Sequence, residues 1–168
     1  ARINVVPTMQ ANQASWGPSI SADGRYVAFV TDADNLGLND TNELPDIVLW
    51  DQQTTNLTRV SLGPNSVEPD GACGIPVISG DGTTVAFLSE ATNLVVHDTN
   101  GVRDLFVCTL ATGVITRVSV SSAGAESDAG CGGEIAISAD GRYVAFVSAA
   151  TNLVATDTNG VADVFRHD

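Results

Sequence analysis

The sequence predicts an all-β protein built from three repeated units, each made of four short strands. The repeat itself is the first observation: residues 21–51, 79–109 and 138–168 are copies of one segment, and the third matches the second at 19 of 31 positions. The copies begin 58 and 59 residues apart, which is the length of one supersecondary unit. Short apolar runs are separated by Gly, Asp and Asn turns, and no segment has helical periodicity.

The strands of one unit follow a fixed order. Ile75 to Ser79 is short and apolar and predicts an inner strand, and Gly80-Asp81-Gly82 after it predicts a tight turn. The unbroken apolar run Tyr143 to Val147 predicts a second strand that is buried on both faces. A third strand opens at Asp163, and the alternation from Thr116 to Val120 predicts a half-exposed outer strand. Four antiparallel strands repeated at this length predict the blades of a β-propeller.

Three motifs of the unit resemble a known family. S-A-D-G-R-Y-V-A-F at 138–146, D-V-F at 163–165 and T-G-x-x-T-R-V-S at 112–119 are similar to the blade repeat of TolB-type (WD40-like) β-propellers. The resemblance covers nearly the whole chain. It implies six blades in a complete ring and an exported bacterial protein, periplasmic or extracellular. Similar blades serve as binding platforms, as gating domains of peptidases and as parts of lyases, so the resemblance identifies fold better than function.

The charge of the chain excludes several classes of partner. Of 168 residues, 20 are acidic and 7 are basic, all of them arginine, which gives a formal net charge of -13. Such a surface repels nucleic-acid phosphates and anionic lipid, so we expect no nucleic-acid partner. The apolar runs are strand-sized, so we expect no membrane insertion. Cations are the expected small partners.

A loop that recurs in every unit predicts calcium as a cofactor. Oxygen-bearing side chains stand at its first, third and seventh positions, a backbone carbonyl at the fifth supplies another ligand, and glycine at the fourth permits a sharp bend in two copies. The alternative is that Asn-Gly forms a hairpin turn and that Asp or Asn closes an Asx turn without metal. The candidate ligands are Asp98, Asn100, Val102 and Asp104; Asp157, Asn159, Val161 and Asp163; and, in a copy with proline in place of alanine and no glycine, Asp40, Asn42 and Asp46.

Other candidate residues are fewer. Arg2, Arg59 and Arg117 recur one residue into the outer strand, and we expect exposed salt bridges from them to acids of a neighbouring blade. Trp16 and Trp50 break the repeat and are candidates for stacking on a sugar or anchoring a peptide, with local packing as the alternative. No catalytic motif is present, so we expect no enzyme activity.

The ends of the chain complement each other. Residues 1–6 resemble an outer strand without a blade, and the third unit ends at 168 on a third strand without an outer partner. Three blades do not close a ring, so we expect 1–168 to form one half-propeller domain that pairs with a second copy into a six-bladed homodimer. The predicted function is a non-catalytic, calcium-stabilised binding or scaffolding propeller whose ligand is a protein or a carbohydrate. The alternatives are a carbohydrate-binding propeller and an accessory propeller of a larger exported hydrolase or lyase.

Overall fold

The computed structural model describes residues 2, 3, 5, 6 and 9–168, which form antiparallel sheets and one short 3₁₀ turn at Pro64–Ser66. A small hairpin, β1 (Val5–Val6) and β2 (Met9–Gln10), comes first. The first blade contains β3 (Ser15–Ile20), β4 (Tyr26–Thr31), β5 (Asp46–Asp51) and β6 (Asn56–Arg59). The second contains β7 (Cys73–Ile78), β8 (Thr84–Ser89), β9 (Asp104–Thr109) and β10 (Val114–Arg117). The third contains β11 (Cys131–Ile137), β12 (Val144–Ser148) and β13 (Asp163–His167).

Neighbouring strands of each blade follow chain order, so each blade is an antiparallel meander. This confirms the all-β propeller prediction of three blades. Within the described residues, the first two blades have four strands and the third has three. Among the described residues, no helix is long and apolar enough to cross a membrane.

The hydrophobic core lies between the blades. One cluster joins the first and second blades, with Ile47 and Phe87 completely buried, and another joins the second and third, with Leu105 completely buried. In the first two blades the second strand is packed on both faces, which explains the unbroken apolar sequence of β4 and β8, whereas buried and partly buried residues alternate along β12. The rings of Phe87 and Phe106 stack with their centroids 5.9 Å apart. Blade-to-blade packing therefore supplies most of the apolar burial.

The Ser-x-Asp-Gly turns join one blade to the next. Within a turn, the Ser79 hydroxyl donates to the Asp81 carboxylate at 2.6 Å. Between turns, the Ala22 amide donates to the Gly80 carbonyl at 2.9 Å, and the Asp81 amide donates to the Ala139 carbonyl at 2.8 Å. The three turns thus form a continuous row along one end of the blades, a structural role that explains why the motif recurs.

The prediction that residues 1–6 form an outer strand for the blade ending at 168 stays a prediction. Residues 1 and 4 lie outside the described residues. Within this chain, Val5 pairs with Gln10 and Val6 with Met9. A similar antiparallel pairing follows the outer strand of the second blade, where Val120 forms a β-bridge with Glu126.

The turn glycines are expected to be intolerant of a side chain for two separable reasons. A Cβ on Gly82 would lie 2.8 Å from the Tyr26 ring of the preceding blade, and its φ of +70° disfavours an L residue. Gly101 has a similar φ of +66° but no atom within 4 Å of such a Cβ. Gly101→Ala should therefore cost only the backbone strain, about 1–2 kcal/mol, and Gly82→Ala about 1–3 kcal/mol more through overpacking.

Equilibrium denaturation of the two variants measures this difference. Equal losses of stability in Gly82→Ala and Gly101→Ala would show that the contact between turns contributes nothing.

Candidate functional site

The loop that sequence analysis assigned to calcium encloses a buried arginine in the first blade. Arg59 lies at the end of β6, and its side chain is 3% exposed. Its Nε lies 3.1 Å from Asp46 Oδ2, one Nη lies 3.7 Å from Asp40 Oδ1, and the other lies 2.5 Å from Glu68 Oε1. We call these four residues the first arginine cluster.

The second blade repeats the arrangement. The Arg117 Nη1 lies 2.9 Å from Asp98 Oδ1 and 3.3 Å from Asp104 Oδ2, and its Nη2 lies 2.7 Å from Glu126 Oε1. Asp104 is completely buried and also accepts a hydrogen bond from Ser119 at 2.5 Å. We call the four charged residues the second arginine cluster. In both clusters a guanidinium lies at the centre of the carboxylates proposed for calcium.

The remaining polar groups of the loop fix its shape. In the second blade, Asn100 Oδ1 accepts from the Val102 amide at 3.3 Å, which closes an Asx turn, and its Nδ2 donates to the Ser127 carbonyl at 3.2 Å. The Thr99 amide and hydroxyl both donate to the Glu126 carboxylate. Glu126 and Ser127 belong to the connector between blades, so the loop of one blade is bonded to the segment that leads into the next. In the first blade, Asn42 Oδ1 accepts from the Leu44 amide at 3.1 Å and its Nδ2 donates to the Pro69 carbonyl at 2.8 Å.

Burial and pairing act in opposite directions on the carboxylates. Burial raises the pKa of Asp46 to about 6, against hydrogen bonding from Ser61 and attraction to Arg59. Burial also raises the pKa of Asp98. Hydrogen bonds from Thr99 lower the pKa of Glu126 to about 2. Glu126 is therefore ionised at neutral pH. Among the acids of the second arginine cluster, it stabilises the charged form of Arg117 most.

The third loop has the same acids but no arginine beside them. Asp157 Oδ1 is buried and has no hydrogen-bond partner among the described residues. Asn159 Nδ2 donates to Asp163 Oδ2 at 2.8 Å, whereas its counterparts donate to a connector carbonyl. Asn159 Oδ1 still accepts from the Val161 amide at 3.0 Å, so the Asx turn is retained. The loop is formed but its two carboxylates lack the counter-ion found in the other two blades.

The structure brings together the acids of each predicted ligand set and adds residues that the prediction omitted. Within the described residues, no group of three or more His, Cys, Asp or Glu is arranged to hold a metal ion. The expectation of exposed salt bridges from Arg59 and Arg117 to a neighbouring blade is wrong, because both arginines are buried in the loop of their own blade. Glu68 and Glu126 were missed, although each stands nine residues after its arginine.

The two tryptophans differ in exposure. Trp16 lies on β3 and is 44% exposed. Trp50 lies on β5 and is partly buried against Val27, Phe29 and Val48. Trp50 therefore has a packing role within the blade, and Trp16 stays a candidate for ligand contact.

Removing the buried arginine should destabilise the fold far more than removing an exposed one. Arg117→Met leaves Asp98 and Asp104 buried without a counter-ion, which should cost about 3–5 kcal/mol of unfolding free energy. Arg142→Met is the matched control, because Arg142 pairs with Asp168 at 2.7 Å with the two side chains 61% and 47% exposed. Its loss should cost far less, because solvent screens an ion pair between two exposed side chains. Urea denaturation of both variants provides the measurement, and similar losses would contradict a structural role for the cluster.

Glu126 should contribute to stability in a pH-dependent way. Its folded pKa of about 2 lies below its ordinary value of 4.5, so its contribution is complete above pH 4.5 and is lost as the pH falls towards 2. The stability difference between the wild type and Glu126→Gln should therefore shrink over that range. Glu90→Gln, at an exposed glutamate, is the control for the loss of an acidic side chain. A Glu126→Gln difference that stays constant down to pH 2 would contradict the assignment.

Comparison with known proteins identifies the fold. No protein-family model and no curated protein matches this chain. Among solved structures, the chain is similar to TolB from Acinetobacter baumannii, with 20% identity over 95% of this chain and 31% of that one and a TM-score of 0.52. It is also similar to the β-propeller domain of the Trilobed protease from Pyrococcus furiosus, with 19% identity, 80% and 34% coverage and a TM-score of 0.52.

An oligogalacturonate lyase in complex with manganese gives 14% identity, 95% and 36% coverage and a TM-score of 0.53. The chain thus spans about a third of the length of these three proteins. Such identities establish architecture and not activity. The chain has the TolB-like β-propeller fold.

Proposed function

We propose that this chain is a non-catalytic binding or scaffolding half-propeller, exported from a bacterial cell, and that two copies assemble into a six-bladed ring. The observation that carries the proposal is the uncovered face of the third blade. Val164 on β13 is 76% exposed, whereas Ile47 and Leu105 at the same position of the other blades are completely buried. An apolar blade face of this kind favours association.

The inner strands supply the surface for a ligand of the assembled ring. They line the axis of a propeller, and here they expose apolar side chains: Trp16 is 44% exposed and Ile75 38%. Exposed aromatic and aliphatic side chains rimmed by polar residues are typical of surfaces that bind proteins. A protein or peptide ligand therefore fits this surface best.

Carbohydrate binding is the second candidate, and exposure of Trp16 is the observation that favours it. An exposed indole stacks on sugar rings, and one of the similar structures is named as an oligogalacturonate lyase. An accessory role beside an enzyme is compatible with either ligand.

Calcium is the alternative to an arginine as the counter-ion of the third loop only. In the first two loops, Arg59 and Arg117 already provide the positive charge next to the carboxylates, so a calcium ion would have to displace a buried guanidinium. In the third loop, Asp157, Asn159 and Asp163 face no such group. A calcium ion and a guanidinium would compete for these oxygens.

The assembly is tested by the mass of the chain in solution. Sedimentation at micromolar concentration should give twice the 17.3 kDa of one chain. Val164→Asp introduces a carboxylate on the packing face and should yield monomers, whereas Val96→Asp, at a loop valine that is 73% exposed, should leave the dimer intact. A folded wild-type monomer at this concentration would refute the proposed assembly.

A further inference from the structure

The N-terminal segment already contacts the first blade as a connector from a preceding blade would. The Asn35 side chain donates to the Gln10 carbonyl at 2.7 Å. At the corresponding positions, Asn93 donates to Glu68 and Asn152 donates to Glu126, both at 2.8 Å. Gln10 therefore occupies, on the first blade, the place that the two connector glutamates occupy on the second and third.

Ile3 agrees with this assignment. It packs against Val27 and Phe29 on the face of the first blade that points away from the second. Val60, which follows Arg59 as Ile3 follows Arg2, packs in the cluster between the first and second blades, and Val118 packs in the one between the second and third. The segment around Ile3 is thus positioned as the end of an outer strand that belongs to a blade preceding the first.

Arg2 has the register of the two buried arginines but no acidic loop of its own. It is exposed, and no ion pair of Arg2 occurs within the described residues. Conversely, Asp157 and Asp163 form an acidic loop without an arginine, and Asp157 Oδ1 is buried without a partner. The two open ends of the chain therefore carry complementary charges, and each lacks what the other provides.

The turns at the two open ends are complementary in shape as well. Gly82 lies under the Tyr26 ring and Gly141 under the Thr84 side chain, in both cases with a Cβ position 2.8 Å from the residue of the preceding blade. Among the described residues, Ile20 alone has an atom within 4 Å of a Cβ placed on Gly24, the corresponding glycine of the first blade, and that atom is 4.0 Å away. Tyr143 stands in the third blade where Tyr26 stands in the first, so the third blade of a second copy, packed on the open face of the first blade, would cover Gly24.

We propose that Arg2 of each copy enters the third loop of a second copy and pairs there with Asp157 and Asp163. The inference rests on the proposed homodimer and names the residues that close it. Gln10 accompanies Arg2 and takes the place of the connector glutamate beside Thr158. The closing contact therefore has one carboxylate fewer than the first and second arginine clusters. The apolar surface buried between the copies and the two guanidinium–carboxylate contacts together stabilise the closed dimeric ring.

A charge exchange between two variants tests the contact. Arg2→Asp and Asp157→Arg each create two like-charge contacts in their own homodimer. Each like-charge contact should weaken dimerisation at least about 30-fold. Because each homodimer contains two such contacts, the dimer dissociation constant of either variant alone should rise about 1,000-fold. An equimolar mixture should dimerise, because the heterodimer contains one native pair and one exchanged pair. Glu90→Arg, at an exposed acid of the second blade, is the control for added positive charge and should remain a dimer.

Sedimentation velocity with circular dichroism separates the outcomes. Folded monomers of each variant that form dimers on mixing support the proposal. A wild-type monomer overturns the homodimer and the contact together. A wild-type dimer that Arg2→Asp leaves unchanged overturns the contact alone. A dimer that dissociates in EDTA and reforms with calcium, equally in wild type and Arg2→Asp, assigns the third loop to calcium and also overturns the contact. If Asp157→Arg does not fold, Asp157→Asn replaces it and should weaken the dimer, while an unchanged affinity contradicts the proposal.

Discussion

The buried arginine of each complete blade is the interaction on which the rest of the structure depends. It joins three parts of the chain: the loop between the second and third strands, the outer strand, and the connector to the next blade. A buried guanidinium requires carboxylates around it, and buried carboxylates require a cation. In the first two blades the arginine therefore bonds the loop, the outer strand and the connector to one another, and it fixes each blade relative to the next.

This dependence explains why the third blade differs from the others. Its acids are present, its Asx turn is present, and its apolar middle strand is buried, with Val144 and Phe146 3% exposed. Within the described residues it has no outer strand, and no arginine lies beside its acids. The exposed Val164 and the unpartnered oxygen of Asp157 are two consequences of that single difference. An incomplete blade with a preformed acidic loop is suited to accept a strand that carries an arginine.

The sequence repeat made the fold predictable. The residue types within one loop predicted only part of the site. The copies beginning at Ser21, Ser79 and Ser138 fixed blade number and strand order, because a unit of this length cannot bury its own apolar faces. The loop acids were predicted to surround a calcium ion, and in the first two loops they surround a guanidinium instead, because carboxylate spacing does not distinguish a metal ion from a guanidinium. That distinction requires contacts between residues far apart in sequence, such as Thr99 with Glu126, which the spacing within one loop does not reveal. The role of Trp50 was likewise decided by the face of the blade on which it lies.

A crystal structure of the chain, grown without added calcium, is the decisive measurement. We expect two copies related by a two-fold axis, with the partner's Arg2 guanidinium within about 4 Å of the Asp157 and Asp163 carboxylates and the Tyr143 ring above Gly24 of the other copy. A third loop that faces solvent, or one in which a metal ion or another residue lies between the two carboxylates, would contradict this expectation.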